Sequence, residues 1–269
     1  MKIGLIADLH VDRHNELTPN DYATVLSQSV RQHKVDLLII AGDIANRADI
    51  VVDFIHRLEE LTNITIRFVP GNHDLWTSKD QPSTAEILQS YREMGEFLGG
   101  SPFIINDAWA IVGNTGWYDY SYASSKFTQE RLARGKFYGA TWQDKERIDL
   151  PYKDLELAER AVEHTKEDLA KVGHRQIILV THVVTHPQFI VPLPHRLFDF
   201  FNAYLGTSKF ADIYHHYPIR YSVMGHVHFR KRLNDQGIEY ICPCLGYPRQ
   251  WRTSDISREM TQTLQVIEI

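Results

Sequence analysis

Cysteine is scarce in this chain: 269 residues hold only two, Cys242 and Cys244. They flank Pro243, so on a strand both thiols point to the same side, which does not suit disulfide geometry. No disulfide framework is expected, and the two read as small core residues in a reducing compartment. Long apolar runs are missing too. No stretch approaches the ~20 residues a membrane span needs. The opening run Ile3–Ala7 is too short for a signal peptide and leads straight into Asp8. A protein of the cytoplasm with no membrane contact is therefore expected. Positive charge is not in excess either: the net charge of -5 argues against a broad nucleic-acid surface, because affinity for phosphate backbones comes mainly from clustered Lys and Arg. With no internal repeat, linker or low-complexity segment, and 43% hydrophobic residues, the chain reads as one domain, 1–269.

What is present is a set of apolar runs that end in chemistry. Arg67-Phe68-Val69 stops at Pro70-Gly71 and hands over Asn72, His73 and Asp74. The same happens at Asp8-Leu9-His10, Gly42-Asp43, Thr181-His182 and Gly225-His226-Val227-His228. Helical spacing fills the intervals 18–32 and 48–61, with Thr18 a plausible N-cap before Pro19. Strands are expected at 3–7, 35–41, 64–69, 177–180 and 221–224, so the early chain alternates strand and helix. That pattern means right-handed crossovers and a parallel core, whose ligands bind at the carboxyl ends of strands. Further along, 83–98 reads as a helix closed by Gly99-Gly100, 153–172 as a long charged helix, and 230–269 as a mostly antiparallel tail. Two aromatic stretches without clean period, 114–150 and 183–217, read as excursions over the sheet.

Gathered at one sheet edge, Asp8, His10, Asp43, Asn72, His182, His226 and His228 make a cluster of carboxylate, imidazole and amide ligands with no thiolate. That donor set suits Mn, Fe, Zn or Ni better than Ca or Mg. Seven ligands exceed what one ion with an open position needs, but they serve two ions if one carboxylate bridges. Two such ions ~3.5–4 Å apart clamp an in-line displacement at phosphorus.

The five motifs, in this order and spacing over residues 8–228, resemble the calcineurin-like metallophosphoesterases. The resemblance implies a four-layer α/β sandwich, two mixed sheets face to face with helices outside. Carried over by position, it gives Asp8, His10, Asp43 and His228 to one divalent or trivalent transition metal ion and Asp43, Asn72, His182 and His226 to a second. It makes His73 the proton donor or transition-state partner, oriented by Asp74. Arg47 stands where some members carry a phosphate-contacting arginine, although Asn46 replaces the acid usual before it.

The expected reaction is hydrolysis of a small phosphomonoester or phosphodiester, nucleotides included, by a metal-bridging hydroxide. Two other readings are a nuclease, which wants an open basic groove, and a non-catalytic metal-binding scaffold, which typically loses ligands that are all present here. The proline-punctuated excursions are placed to wall in the site and favour a compact ligand. Lys126, Arg131, Arg134 and Lys136 are the one local basic cluster. His33, His56, His164 and His174 are expected to be solvated, and Trp117, Tyr118, Tyr120 and Tyr122 to form a satellite core.

Overall fold

In the strand Leu37–Ala41 every residue is buried, but on alternate faces: Leu37, Ile39 and Ala41 belong to one apolar cluster, Leu38 and Ile40 to another. A strand apolar on both faces must be covered on both, and this sets the layers. The computed structural model describes all residues, 1–269. The first sheet consists of β1 (Lys2–Ile6), β2 (Leu37–Ala41) and β3 (Thr65–Val69), parallel and in that order. The second contains β4 (Phe103–Ile104) and β5 (Trp109–Asn114), and a small ribbon of β6 (Lys136–Phe137) and β7 (Ala140–Thr141) stands apart. β8 (Gln176–Thr181), β9 (Ile219–Val223), β10 (Arg230–Asp235) and β11 (Ile238–Pro243) complete the second sheet, in the order β10-β11-β9-β8-β5-β4. β12 (Gln265–Glu268) returns to the first sheet, antiparallel beside β1. Both sheets are mixed, as the four-layer expectation requires.

One cluster joins Ile3, Leu5, Leu37, Ile39 and Val69 of the first sheet to Val112, Leu179 and Val223 of the second. The other packs the outer face of the first sheet on the helices Pro19–His33 and Ala48–Thr62 through Tyr22, Leu26, Phe54, Ile55 and Leu58. Thr18 caps the first of these helices in a capping box with Asp21. The excursions pack on each other. Trp142 stacks on Tyr204 with ring centroids 5.0 Å apart, Phe137 on Phe200 at 4.7 Å, and Trp117, Tyr118, Tyr120 and Tyr122 are all buried. They do not form the separate satellite core expected: Trp117, Tyr118 and Tyr120 join the cluster under the helices, and Tyr122 joins the one between the sheets.

Three further expectations need correction. The helix predicted to reach residue 98 is Thr84–Arg92 and ends six residues early. β3 would otherwise be an open sheet edge. Instead the Phe68 N–H donates to the Glu96 carbonyl (2.9 Å) and the Leu98 N–H to the Phe68 carbonyl (3.0 Å). Satisfying that edge outweighs another turn of helix. The tail is mostly antiparallel as expected, β10 with β11 and β12 with β1, but β11 also runs parallel to β9, and an unexpected helix, Ile256–Thr263, precedes β12. Asp255 caps that helix through the Ser257 and Arg258 N–H groups, a start signal present in the sequence. The basic cluster is also partly neutralised: Lys126 pairs with Asp199 and Lys136 with Glu146, while Arg131 and Arg134 are in no ion pair.

Gly113 lies where β5 passes closest to β3. A Cβ there would sit 2.5 Å from Leu98 Cβ and 2.7 Å from Val69 Cγ1. Gly113→Ala is therefore expected to destabilise the fold by about 1–3 kcal/mol through overpacking, read from urea unfolding. A loss under about 0.5 kcal/mol would show that the sheets can part at this point.

Candidate functional site

The strands end in backbone that L-residues seldom adopt. Of the ten non-glycine residues with positive φ, five are Asp8 (54°), His10 (44°), Asp43 (54°), His226 (74°) and His228 (55°). Such positions cost about 1–3 kcal/mol each and persist only where the surroundings impose them. Here the imposition is visible. The Asp8 N–H donates to the Gly42 carbonyl at 2.9 Å, the His10 N–H to the Asp43 carbonyl at 3.0 Å, and the Gly225 N–H to the His182 carbonyl at 2.8 Å. The Asp8 carboxylate accepts from the His226 N–H, and Asp43 Oδ1 from the His73 N–H at 2.9 Å. The glycines beside the acids are needed for close approach. A Cβ on Gly42 would lie 2.5 Å from Gly71 N, and one on Gly71 would lie 2.1 Å from Asp43 Oδ1.

All seven predicted ligand residues meet at this edge. Potential ligand atoms of Asp8, His10, Asp43 and His228 lie within 4.8 Å of one another, as do those of Asp43, His182 and His226. Asn72 Oδ1 joins the second group, 2.9 Å from His226 Nδ1 and 3.1 Å from His182 Nε2. Asp43 belongs to both.

The hydrogen bonds behind the rings decide what the inner atoms offer. His182 Nδ1 donates to the Ala41 carbonyl at 2.8 Å, and His226 Nε2 to the Tyr204 carbonyl at 3.0 Å. In the neutral rings the lone pairs therefore sit on His182 Nε2 and His226 Nδ1, 3.1 Å apart and both facing the Asn72 carbonyl oxygen. His228 Nδ1 donates to Gln250 Oε1 at 3.0 Å, which turns its Nε2 toward Asp8 Oδ1 (3.3 Å) and His10 Nε2 (3.0 Å). Acceptors crowded in this way repel unless positive charge lies among them, so the residues fit a pair of cations. Burial pushes the His182 imidazolium down, but the Asp43 and Asp8 carboxylates overcome it and hold the pKa up to about 10. Burial and the neighbouring His182 charge press His226 down to about 3. Burial works against the Asp43 carboxylate, yet His182, His73 and His10 hold it well below the usual range. One positive charge is thus already favoured at this spot.

Residues that the sequence reading did not single out hold this arrangement. Asp144 Oδ1 accepts from Asn72 Nδ2 (2.8 Å) and Trp76 Nε1 (2.7 Å), which fixes the amide with its oxygen toward the cluster; Oδ2 accepts from Trp142 Nε1 at 2.8 Å. The Gln250 side chain, which orients His228, also accepts from the Tyr247 N–H at 2.8 Å, and the Tyr247 ring lies 4.4 Å from the His10 ring. Among the ligand residues, His10 Nδ1 is the side-chain atom buried with no partner. His73 stacks on Trp76 at 3.6 Å; its Nδ1 donates to Asn46 Oδ1 at 2.7 Å and its Nε2 lies 3.9 Å from Asp43 Oδ2.

Two assignments change. Asp74 does not orient the His73 ring. Its oxygens accept from the Ala45 N–H (2.9 Å) and the Gly71 N–H (2.8 Å), tying the two loops together, while burial and the Asp43 charge push its pKa up to about 8. The ring is held by Asn46, which Asp12 Oδ2 locks by accepting from both its backbone N–H (3.0 Å) and its Nδ2 (2.8 Å). Arg47 is not brought to the cluster either. It is the exposed N-cap residue of the helix Ala48–Thr62, and Asp49, two residues on, takes its guanidinium.

A sequence profile of the calcineurin-like phosphoesterases matches residues 1–230. The acyl-carrier-protein phosphodiesterase PptH of Mycobacterium tuberculosis is 29% identical over 242 residues, 81% of this chain and 71% of that protein. The crystal structure of the phosphopantetheinyl hydrolase PptH of the same organism superposes with a TM-score of 0.78 at 24% identity, covering 99% of this chain and 95% of that one. A dimetal phosphatase from Danio rerio superposes with a TM-score of 0.56 at 14% identity, covering 90% and 86%. At these identities the two superpositions bear on the fold alone.

Asp144→Ala would strand the Asn72, Trp76 and Trp142 donors that share its carboxylate. A buried donor left without an acceptor costs about 1–3 kcal/mol, so a loss of at least about 3 kcal/mol in urea unfolding is expected. Asp144→Asn keeps one acceptor oxygen and should cost less. A loss below about 1 kcal/mol for the alanine variant would remove Asp144 from this role.

Proposed function

The chain belongs to the calcineurin-like phosphoesterase family and is a metal-dependent phosphoric ester hydrolase, and we propose that it cleaves a phosphodiester at the cluster around Asp43. The observation that carries this is the facing of seven N and O ligand residues in two groups that share Asp43, with His73 beside them and held by other partners. In this reading Asp8, His10, Asp43 and His228 hold one ion, and Asp43, Asn72, His182 and His226 the other. The donor set, without thiolate, favours Mn, Fe, Zn or Ni. When bound, the ions supply Lewis-acid stabilisation of the phosphoryl oxygens and a nucleophilic hydroxide near neutral pH.

The residues of the chain do the rest. Asp43 and Asp8 neutralise cationic charge, while the carbonyls of Ala41 and Tyr204 and the Gln250 amide keep the imidazoles in the ligating tautomer. His73 gives the proton on Nε2 to the departing alkoxide oxygen. Asn46 keeps Nδ1 occupied, so Nε2 is the nitrogen left to exchange a proton. Burial draws the His73 imidazolium down from its usual value, which makes it a readier donor, against the opposing pull of Asp43 and Asp144.

The substrate follows from chemistry shared by two cases. A small diester suits a cluster flanked by the packed excursions. The relative is named for acting on acyl-carrier protein, which makes a protein-borne phosphodiester the first natural substrate to try. Long DNA or RNA does not suit a net charge of -5 with two of the four cations in the basic cluster, Lys126 and Lys136, taken up in ion pairs.

Manganese-loaded protein should hydrolyse bis-p-nitrophenyl phosphate and phosphopantetheinylated acyl-carrier protein, lose both activities to chelation, and leave single-stranded and duplex DNA intact. Absence of hydrolysis of any phosphoester by the metal-loaded protein would sink the proposal. Efficient cleavage of DNA, weakening steeply with salt, would favour a nuclease. His73→Ala should slow alkyl diesters ~10²–10⁴-fold, and p-nitrophenyl esters much less, because that leaving group needs no proton. Equal losses for the two would take His73 out of the acid role.

A further inference from the structure

Beside the ligand cluster lies a cleft of about 620 Å³ whose wall includes Asp12, Arg13, Glu16, Tyr247 and Arg249. It opens next to the metal-ligand residues, because the Tyr247 ring packs 4.4 Å from His10 and 4.7 Å from His228. Two cations flank that one ring: the guanidinium of Arg13 is 5.7 Å from its centroid and that of Arg249 is 5.0 Å away. Neither Arg13 nor Arg249 is in an ion pair, and what sets them apart is that both guanidiniums lie against the one ring that packs on His10 and His228. Of the two acids in the wall, Asp12 turns Oδ2 onto Asn46 while its Oδ1 is buried without a partner, and Glu16 is exposed.

Both arginines are carried on segments tied to the cluster. The Arg13 N–H donates to the His10 carbonyl at 3.0 Å, and Arg249 precedes Gln250, whose amide orients His228. Two like charges held at one ring, open to solvent and in no ion pair, suit a planar, multidentate anion such as phosphate or carboxylate.

We propose that this cleft is the subsite for a second anionic group of the substrate, bound by Arg13 and Arg249 while the scissile diester lies at the Asp43 cluster. The inference rests on the phosphodiesterase reading and narrows it to diesters with a second anion near the phosphorus. That anion has two sources, a further phosphate on a small substrate or carboxylates on the surface of a protein substrate.

Arg13→Ala, Arg249→Ala and the double variant distinguish them. Calorimetry on manganese-loaded protein compares α,ω-alkanediol bisphosphates of three to six carbons with the matching alkyl monophosphates. Wild type should bind at least one bisphosphate about tenfold tighter than its monophosphate, a preference that the double variant loses; this assigns a second phosphate. In parallel, KM for phosphopantetheinylated acyl-carrier protein is compared with KM for bis-p-nitrophenyl phosphate. A rise for the carrier protein about tenfold beyond any rise for the small diester, shrinking as salt increases, assigns protein carboxylates. If neither ratio changes in the double variant, the subsite does not exist. If wild type hydrolyses no diester but the bisphosphate preference is present and is lost in the double variant, the subsite stands and the phosphodiesterase reading fails.

Discussion

Imidazoles that donate outward to fixed acceptors must turn a lone pair inward, and here His182, His226 and His228 all do so toward the same small volume. With the Asn72 carbonyl and the Asp8 and Asp43 carboxylates facing the same way, the edge of the sheets is a concentration of acceptors that only positive charge relieves. Much of the local structure exists to hold that arrangement. Left-handed backbone at five ligand residues and the glycines packed against Asp43 and His182 are unfavourable or restrictive in isolation, and the strands on either side force them.

The supports are divided. The first excursion contributes Asp144, which fixes Asn72, and the second contributes the Tyr204 carbonyl, which fixes His226. Because Trp142 stacks on Tyr204 and lies 5.7 Å from the His226 ring, the two excursions brace one ligand group jointly. The other group depends on the 247–250 turn, through Gln250 and the Tyr247 ring. The same turn carries Arg249, so ligand positioning and the cleft beside it are set by one short segment. His10 alone lacks an outer partner at Nδ1, and its ring is confined instead by His73, His228 and Tyr247.

Most of the ligand cluster was legible because strands buried on both faces read as unbroken apolar runs, and each run stops at its chemistry. β1, β2 and β8 follow that rule and point to Asp8, Asp43 and His182; β3 and β9, interrupted by Arg67 and Arg220, still end at Asn72 and His226. The outer partners were not legible. Asp144 sits in a stretch without period, and Gln250 closes a turn that Gly246 and Pro248 mark without showing which side chain it serves. Sequence adjacency misled at Asp74: it follows His73 in a tight turn, and successive side chains there point apart, so the carboxylate meets backbone N–H groups and not the ring. Position in the family pattern misled at Arg47, whose guanidinium pairs at the surface with Asp49 in the first helical turn. The helix expected to reach residue 98 failed for a tertiary reason, the demand of the β3 edge, that helical periodicity does not encode.

The account turns on Asp43 facing both ligand groups, so the most direct test counts metal ions. Elemental analysis of metal-saturated, gel-filtered protein should find two transition metal ions per wild-type chain and almost none in Asp43→Ala, with the variant still folded by circular dichroism. At most one ion in the wild type, or two retained in Asp43→Ala, would contradict a shared carboxylate at the centre of the site.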